Sequence, residues 1–250
     1  MRSRLRLIAL LLLAGFMGCG DSSQPPSPEA VVSLTEQLRV RRERSASRRS
    51  DEAKAMMDRI TEEMNRFGVM ERSLKEGGTA PDFTLPSADG DSVRLNNLLA
   101  RGPVVVSFYR GGWCPYCCLE FTALERALPE IEKTRRVDGS YLAGNPGLIN
   151  IHQAQTTDIV SGFKRLRQQN GTGFRPGFTV PQELQAKYSK GTFNIPAYNG
   201  DDSWELPLPD TFVIDSNGIA HLAFADNDYT KRLDPIDILA ALREIVAAKS

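Results

Sequence analysis

The order of apolar and polar positions divides the chain into a helical leader and a longer segment of mixed strands and helices. Residues 103–109 form a nearly continuous apolar run, which predicts a strand buried on both faces. Near the carboxyl end, two apolar runs at 210–215 and 219–224 flank the turn Ser216-Asn-Gly218, which predicts a β-hairpin. Further predicted elements are strands at 80–85 and 92–95 and helices at 117–128 and 235–248.

These elements follow one another as strand, turn, helix, hairpin and helix. That order predicts an α/β fold with a mixed central sheet flanked by helices. The segment 138–178 is the exception. Its apolar run at 140–151 would suit a strand but is interrupted by Gly144, Pro146 and Gly147, and 170–177 has the composition of a loop. The pattern therefore assigns no regular element to this segment.

Residues 29–76 are predicted to form an N-terminal helical extension. Apolar side chains recur there at spacings of three and four, namely Met56 or Met57, Ile60, Met64 and Phe67. Six arginines lie between Arg39 and Arg49, which favours a solvated helix face over a patch that meets anionic lipid headgroups. Residues 19–28 are polar and proline-rich, and we expect a flexible tether.

Residues 1–18 have the pattern of a signal peptide. Arg2, Arg4 and Arg6 precede an apolar run at 7–17 that is too short to span a membrane comfortably. The run ends in Phe16-Met-Gly18-Cys19, which is similar to a bacterial lipobox, so Cys19 is the candidate for lipid attachment. An ordinary secretory signal, with Cys19 incidental, is the alternative. We expect an exported protein, anchored in the membrane by lipid and facing the periplasm.

Composition narrows the possible functions. The chain has 250 residues, with 31 basic and 31 acidic side chains, so no net field favours nucleic acid as a partner. Nucleotide, haem and metal motifs are lacking, and we expect no cofactor. A zinc site is disfavoured because the chain has one Cys-x-x-Cys, with His152 and His221 far away in sequence. The sequence does not indicate an oligomeric state.

The candidate chemistry lies directly after the predicted buried strand. Three of the four cysteines, Cys114, Cys117 and Cys118, follow a Gly-Gly turn and stand at a predicted helix start. Backbone N–H groups and the helix dipole stabilise a thiolate at such a position, which can lower a cysteine pKa to roughly 3.5–7.5. A thiol of this kind is ionised at neutral pH and attacks a peroxide or a disulfide.

Four stretches together carry a resemblance to a known family. They are Gly77-Gly-Thr-Ala-Pro-Asp-Phe-Thr-Leu-Pro86, Ser107-Phe-Tyr-Arg-Gly-Gly-Trp-Cys-Pro-Tyr-Cys117, Trp204-Glu-Leu-Pro-Leu-Pro-Asp-Thr-Phe-Val-Ile-Asp215 and Asp226-Asn-Asp-Tyr-Thr-Lys-Arg232. From about residue 71 onward the chain resembles the peroxiredoxin-like branch of the alkyl hydroperoxide reductase/thiol-specific antioxidant family. The resemblance implies a thioredoxin-like domain over 77–250, a hydroperoxide substrate and a thioredoxin-like or other dithiol reductant.

The resemblance also implies roles for the cysteines. The spacing from Phe108 places Cys117 at the position of the peroxidatic cysteine, with Cys114 as its resolving partner and Cys118 as a possible third thiol. A thioredoxin-type oxidoreductase is the alternative, because Trp113-Cys-Pro-Tyr-Cys117 is also a redox motif of that class, in which Cys114 attacks. There Pro209 would resemble the cis-proline that lies against the redox pair. A second alternative is a non-catalytic envelope lipoprotein.

One residue of the family pattern is missing. Ordinary peroxiredoxins carry an arginine just before the strand that matches 211–215, and this chain has Leu208-Pro-Asp210 there. We expect Arg110 to favour the thiolate in its place, or else to be a surface residue, and Trp113 to pack over the pair. The simplest role for Glu120 is solvation of its helix. For the remaining family positions, packing and turn structure are expected: Trp204, Tyr229 and Arg232.

Overall fold

A computed structural model describes residues 33–66, 68, 70–86, 92–110, 113–134, 148–150, 177–189, 194–199 and 202–248. The predicted signal peptide, the tether and Cys19 lie outside the described residues, and so does most of the segment 138–178. No helix within the described ranges is long and apolar enough to cross a membrane.

Seven α-helices and eight strands are found in the described ranges. The helices are α1 (Leu34–Ser47), α2 (Asp51–Arg66), α3 (Leu95–Leu99), α4 (Pro115–Thr134), α5 (Gln182–Ser189), α6 (Ile195–Asn199) and α7 (Pro235–Ala247). The strands are β1 (Thr84–Pro86), β2 (Ser92–Arg94), β3 (Val104–Ser107), β4 (Leu148–Asn150), β5 (Gly177–Thr179), β6 (Glu205–Pro207), β7 (Thr211–Ile214) and β8 (Ala220–Phe224). A single 3-10 turn, Met70–Arg72, precedes β1.

The central sheet has four strands in the order β4-β3-β7-β8. Strand β4 runs parallel to β3, whereas β3–β7 and β7–β8 are antiparallel. Val104 is paired with Ile214 and Ser107 with Thr211. The sheet is therefore mixed, as the order of elements predicted, and the hairpin β7–β8 is confirmed. Two smaller antiparallel sheets consist of β1–β2 and β5–β6.

Both faces of β3 are buried, which explains its continuous apolar sequence. Side chains alternate along a strand, so Val104 and Val106 share one face and Val105 lies on the other. The first face packs in a cluster with β1, α3 and β7, and the second packs against helices α4 and α7. Leu124 of α4 and Leu242 of α7 are almost fully buried there. This layering fixes the end of β3, where the cysteines follow.

Several element bounds differ from the sequence prediction. Helix α4 begins at Pro115 rather than at Cys117, because proline is well suited to the first helical position, where no N–H partner is needed. Helix α3 was not predicted, since its five residues are too few to show a helical period. Strands β4 and β5 lie in the segment 138–178 to which the pattern assigned no element.

The predicted helical extension is confirmed as α1 and α2, and both pack against the rest of the protein. Met56, Ile60 and Met64 of α2 are buried in a cluster with residues of α5, α6 and β6. On α1 the two buried side chains are Leu34 and Leu38. The leader therefore contributes apolar side chains to the core of the described structure.

Polar contacts also hold α1 in place. The backbone N–H and the hydroxyl of Thr35 donate to Asp234 Oδ2 at 3.0 and 3.1 Å. The same carboxylate accepts from the backbone of Ile236 at the start of α7. Arg39 forms solvent-exposed ion pairs on α1, as expected for a solvated face, but Arg49 reaches inward to the loop between β8 and α7. The arginine run is therefore only in part a solvated surface.

Candidate active site

Cys114 and Cys117 occupy the first turn of α4, directly after β3. The carbonyl of Cys114 accepts from the backbone N–H of Cys118 at 3.1 Å, so Cys114 caps the helix and Cys117 lies within its first turn. Unpaired N–H groups at this end of a helix favour negative charge nearby. The start of α4 thus places both sulfurs where a thiolate is stabilised.

Both cysteines are free thiols, and both are enclosed. Cys114 is 1% exposed and Cys117 is 0% exposed. They share an apolar cluster with Tyr109 and Tyr116 and with the two buried leucines of α1. The helical leader therefore forms one wall of the site.

Arg232 carries the closest positive charge to Cys117. Its Nη2 donates to Cys117 Sγ at 3.1 Å, and its Nε donates to Glu120 Oε2 at 2.5 Å. Its Nη1 donates to the backbone carbonyls of Tyr229 and Lys231. The side chain is 0% exposed, so the contact with sulfur is made in an environment of low polarity. Every nitrogen of this guanidinium has a partner, which fixes its orientation toward Cys117.

Glu120 lies one helical turn beyond Cys117 and is buried, so the expectation that it solvates its helix is wrong. It pairs with Arg232 instead. Burial raises the pKa of Glu120 to about 7, while Arg232 works in the opposite direction. Because residues three apart share a helix face, the spacing from Cys117 was a signal that could have placed this side chain in the site. Arg232 gave no such signal, since it is 115 residues from Cys117.

Arg110 is buried beside the pair rather than exposed on the surface. Its guanidinium carbon lies 4.4 Å from the ring centroid of Tyr229 and 5.4 Å from that of Trp113. Although burial opposes the charged form, the neighbouring Cys114 sulfur raises the pKa of Arg110, so it stays a cation. The site therefore contains two buried guanidiniums, and Arg110 is the one that the sequence offered as a possible substitute for the missing arginine.

The ionisation of each thiol affects the pKa of the other. The hydrogen bond from Cys117, assisted by the charges of Arg110 and Arg232, lowers the pKa of Cys114 to about 5. Desolvation, followed by the hydrogen bond to Cys114, raises the pKa of Cys117 well above its usual value. The contact between Arg232 Nη2 and Cys117 Sγ works in the other direction, because it stabilises the negative charge on Cys117 rather than on Cys114. We conclude that the pair as a unit loses one proton well below neutral pH and holds the second firmly.

Pro209 is buried two residues before β7, and its preceding peptide bond is trans, as are all others in the described ranges. The expected resemblance to a cis-proline is therefore wrong in this respect. The next residue, Asp210, is 0% exposed and accepts from Ser73 Oγ at 3.3 Å. Burial raises the pKa of Asp210 to about 8.

Cys118 is half-buried and one residue further along α4. Its carbonyl accepts from the Thr122 hydroxyl at 2.9 Å. It does not belong to the apolar cluster that encloses Cys114 and Cys117. Cys118 stays a candidate for a third thiol, and packing as a small residue stays its simpler predicted role.

Comparison with known proteins finds several similar sequences. Residues 77–138 match the AhpC/TSA family. The matched range includes the cysteine pair and the first turn of α4. A chloroplastic peroxiredoxin Q of rice (Oryza sativa subsp. japonica) is 26% identical over 203 residues, or 81% of this chain and 82% of that protein. This chain is peroxiredoxin-like in sequence.

Two further similarities involve proteins of Mycobacterium tuberculosis. A putative peroxiredoxin of Mycobacterium tuberculosis is 38% identical over 65 residues, which cover 25% of this chain and 42% of that protein. The crystal structure of peroxidoxin BcpB from the same organism covers 69% of this chain and 98% of its own. Its sequence identity is 22% and its TM-score is 0.40, so the assignment rests on the sequence matches.

Proposed function

We propose that this peroxiredoxin-like protein reduces hydrogen peroxide or small organic hydroperoxides, with Cys117 as the attacking sulfur. The contact of 3.1 Å between Arg232 Nη2 and Cys117 Sγ carries this proposal. A guanidinium held against sulfur stabilises the thiolate before the reaction. It also stabilises the negative charge that develops on the peroxide oxygens in the transition state. The relatives named as peroxiredoxins support the substrate class.

The first step is nucleophilic attack on the terminal peroxide oxygen. The Cys117 thiolate forms an S–O bond, the O–O bond breaks, and the leaving oxygen takes up a proton to depart as water or alcohol. Sulfur is oxidised to a sulfenic acid and the peroxide is reduced by two electrons. The helix start and the two guanidiniums supply the charge stabilisation that this step requires.

The second step forms a disulfide. Cys114 attacks the Cys117 sulfenic acid, an S–S bond forms, and the hydroxyl leaves as water after taking up the thiol proton. The two sulfurs need little rearrangement, because Cys114 caps α4 and Cys117 lies in its first turn. A thioredoxin-type or other external dithiol then reduces the disulfide through two exchange steps and is itself oxidised.

Single-turnover chemistry tests this assignment. The prereduced protein, as residues 20–250, is mixed with stoichiometric hydrogen peroxide, and we measure peroxide consumption and the product masses. We expect Cys117→Ser to consume no peroxide. Cys114→Ser should consume one equivalent and accumulate a sulfenic acid that a dimedone probe traps. Loss of consumption in Cys114→Ser alone would contradict the roles assigned to the two sulfurs.

A thiol–disulfide oxidoreductase is the second candidate, favoured by the lowered pKa of Cys114. An acidic thiol at the cap position of a helix is the attacking group of that class. In this case Cys114 attacks a protein disulfide and Cys117 resolves the mixed disulfide. Reduction of insulin disulfides by the prereduced protein, with no turnover of peroxide, would support this function over the first.

We also propose that the protein is exported and held at the membrane by a lipid on Cys19, facing the periplasm. The basic residues, short apolar run and Gly18-Cys19 junction of the first nineteen residues support this. An inhibitor of lipoprotein signal processing should cause a heavier, unprocessed form to accumulate in cells. An unchanged electrophoretic mobility would argue for an ordinary secretory signal.

A further inference from the structure

Tyr229 touches more of the site than its expected role in packing requires. It lies half-buried in the loop between β8 and α7. The Arg110 guanidinium lies over the ring of Tyr229, and the carbonyl of Tyr229 accepts from Arg232 Nη1. Its ring meets Tyr116 edge to face, with centroids 5.7 Å apart. One residue thus contacts both guanidiniums of the site and the ring next to Cys117.

The position of Arg110 depends on these rings. Its Nε is buried and has no hydrogen-bond partner in the described part of the chain, in contrast to the fully bonded Arg232. Two aromatic faces lie within 5.4 Å of the Arg110 guanidinium, and the ring of Tyr229 is the closer. A desolvated cation on an aromatic face gains about 2 kcal/mol. The ring of Tyr229 is therefore a major determinant of where this charge resides.

The backbone of Tyr229 is itself fixed. The Arg232 guanidinium that donates to its carbonyl is anchored by Glu120 and contacts Cys117. At the other end, the Tyr229 hydroxyl accepts from Nη2 of Arg49, which lies between α1 and α2, at 3.0 Å. The ring is held from both sides, so it presents a rigid face to Arg110.

We propose that Tyr229 is a positioning residue whose ring holds the Arg110 charge close to the Cys114–Cys117 pair. This rests on the proposed function only in requiring that the pair react as a thiolate. Removing the ring frees Arg110 to move, so the sulfur anion loses part of its stabilisation. Removing the hydroxyl alone leaves the cation on the ring.

The test measures the rate of alkylation by iodoacetamide against pH in the full chain, prereduced. In Tyr229→Leu we expect the midpoint of the profile to rise by about one pH unit, which lowers the rate about tenfold below the midpoint. Tyr229→Phe is the matched control, and its midpoint should stay at the wild-type value. In Arg110→Met the midpoint should rise as well, and adding Tyr229→Leu to it should produce no further rise.

A second variant keeps the test valid if Tyr229→Leu does not fold. Pentafluorophenylalanine at position 229 keeps the shape of phenylalanine but reverses the charge distribution of the ring, which weakens its hold on a cation. We expect a midpoint above that of Tyr229→Phe at an unchanged urea midpoint. Equal midpoints in wild type, Tyr229→Phe and the fluorinated variant would overturn the role of Tyr229. A wild-type midpoint near the ordinary cysteine value would instead overturn the proposed function.

Discussion

Asp210 should make the stability of this protein fall as pH rises, and Asp210→Asn should remove that dependence. The carboxyl group is fully buried, and its Oδ1 has no hydrogen-bond partner among the described residues. Its Oδ2 accepts one hydrogen bond, from Ser73. Burial therefore raises the pKa of Asp210 to about 8, so the group is largely protonated at neutral pH. Asparagine has nearly the same shape and does not titrate.

The sign and size of this pH dependence follow from the difference between the pKa of Asp210 in the folded and in the unfolded state. The folded-state pKa lies above the unfolded value, so the folded state binds the extra proton between the two. The contribution of Asp210 is fully present below about pH 4 and is lost as pH rises through 8. Between pH 5 and pH 9 the unfolding free energy attributable to this group should fall by at most about 4 kcal/mol. Relaxation and water entry reduce the expected change to about 2 kcal/mol.

The assay is urea unfolding of wild type and Asp210→Asn at pH 5, 7 and 9. Glu120 and the cysteines titrate in both proteins, so the difference between the two curves isolates Asp210. We expect Asp210→Asn to gain on wild type as pH rises. Asp215→Asn is the control of opposite sign: desolvation works against it, but hydrogen bonds from the backbone of Ile219 and Asn217 lower the pKa of Asp215. Its contribution is lost as pH falls below about 4, so this control is also measured at pH 3, where wild type should lose its advantage over Asp215→Asn. Parallel curves for wild type and Asp210→Asn would refute the reasoning.

Three further substitutions test the site. Glu120→Gln removes a group that is an anion beside Cys117 above its pKa of about 7, so the second, more basic ionisation of the thiol pair should move to lower pH; a move to higher pH would contradict the geometry. Arg232→Gln, combined with Glu120→Gln to avoid an unpaired buried carboxylate, should slow peroxide consumption at least tenfold at pH 7, measured by stopped flow. Leu38→Ala should lower the unfolding free energy by about 2–5 kcal/mol and accelerate thiol labelling, whereas the exposed Val40→Ala should change neither.

The sequence predicted those parts of the fold whose signal is local. The buried strand, the hairpin and the last helix each show a period or a turn that their own residues determine, and all three are found. The short helix α3 and the strands β4 and β5 were missed, since three to five residues show no period. Their formation depends on pairing with distant segments, as β4 pairs with β3.

The same distinction applies to the candidate site. Cys114 and Cys117 were identified from spacing within one motif, and Arg110 lies close to them in sequence. Arg232 was assigned to packing and turn structure, because only the folded chain brings it to Cys117. Likewise, the arginines of α1 suggested a surface, while the buried Leu34 and Leu38 of the same helix are too few to form a recognisable stripe. Long-range contacts of single side chains leave no periodic trace in a sequence.

Because α1 packs over the cysteines, the choice of where an expression fragment begins affects their environment. The residues that match the family begin at 77, and the leader begins 43 residues before that, at Leu34. An expression fragment trimmed to the matched region would open the cysteine pair to solvent and delete Arg49, the partner of the Tyr229 hydroxyl. Redox measurements on such a fragment would describe a different microenvironment from that of the whole protein. Helix α1 is therefore part of the cysteine site and should be kept in any fragment on which the chemistry of the pair is measured.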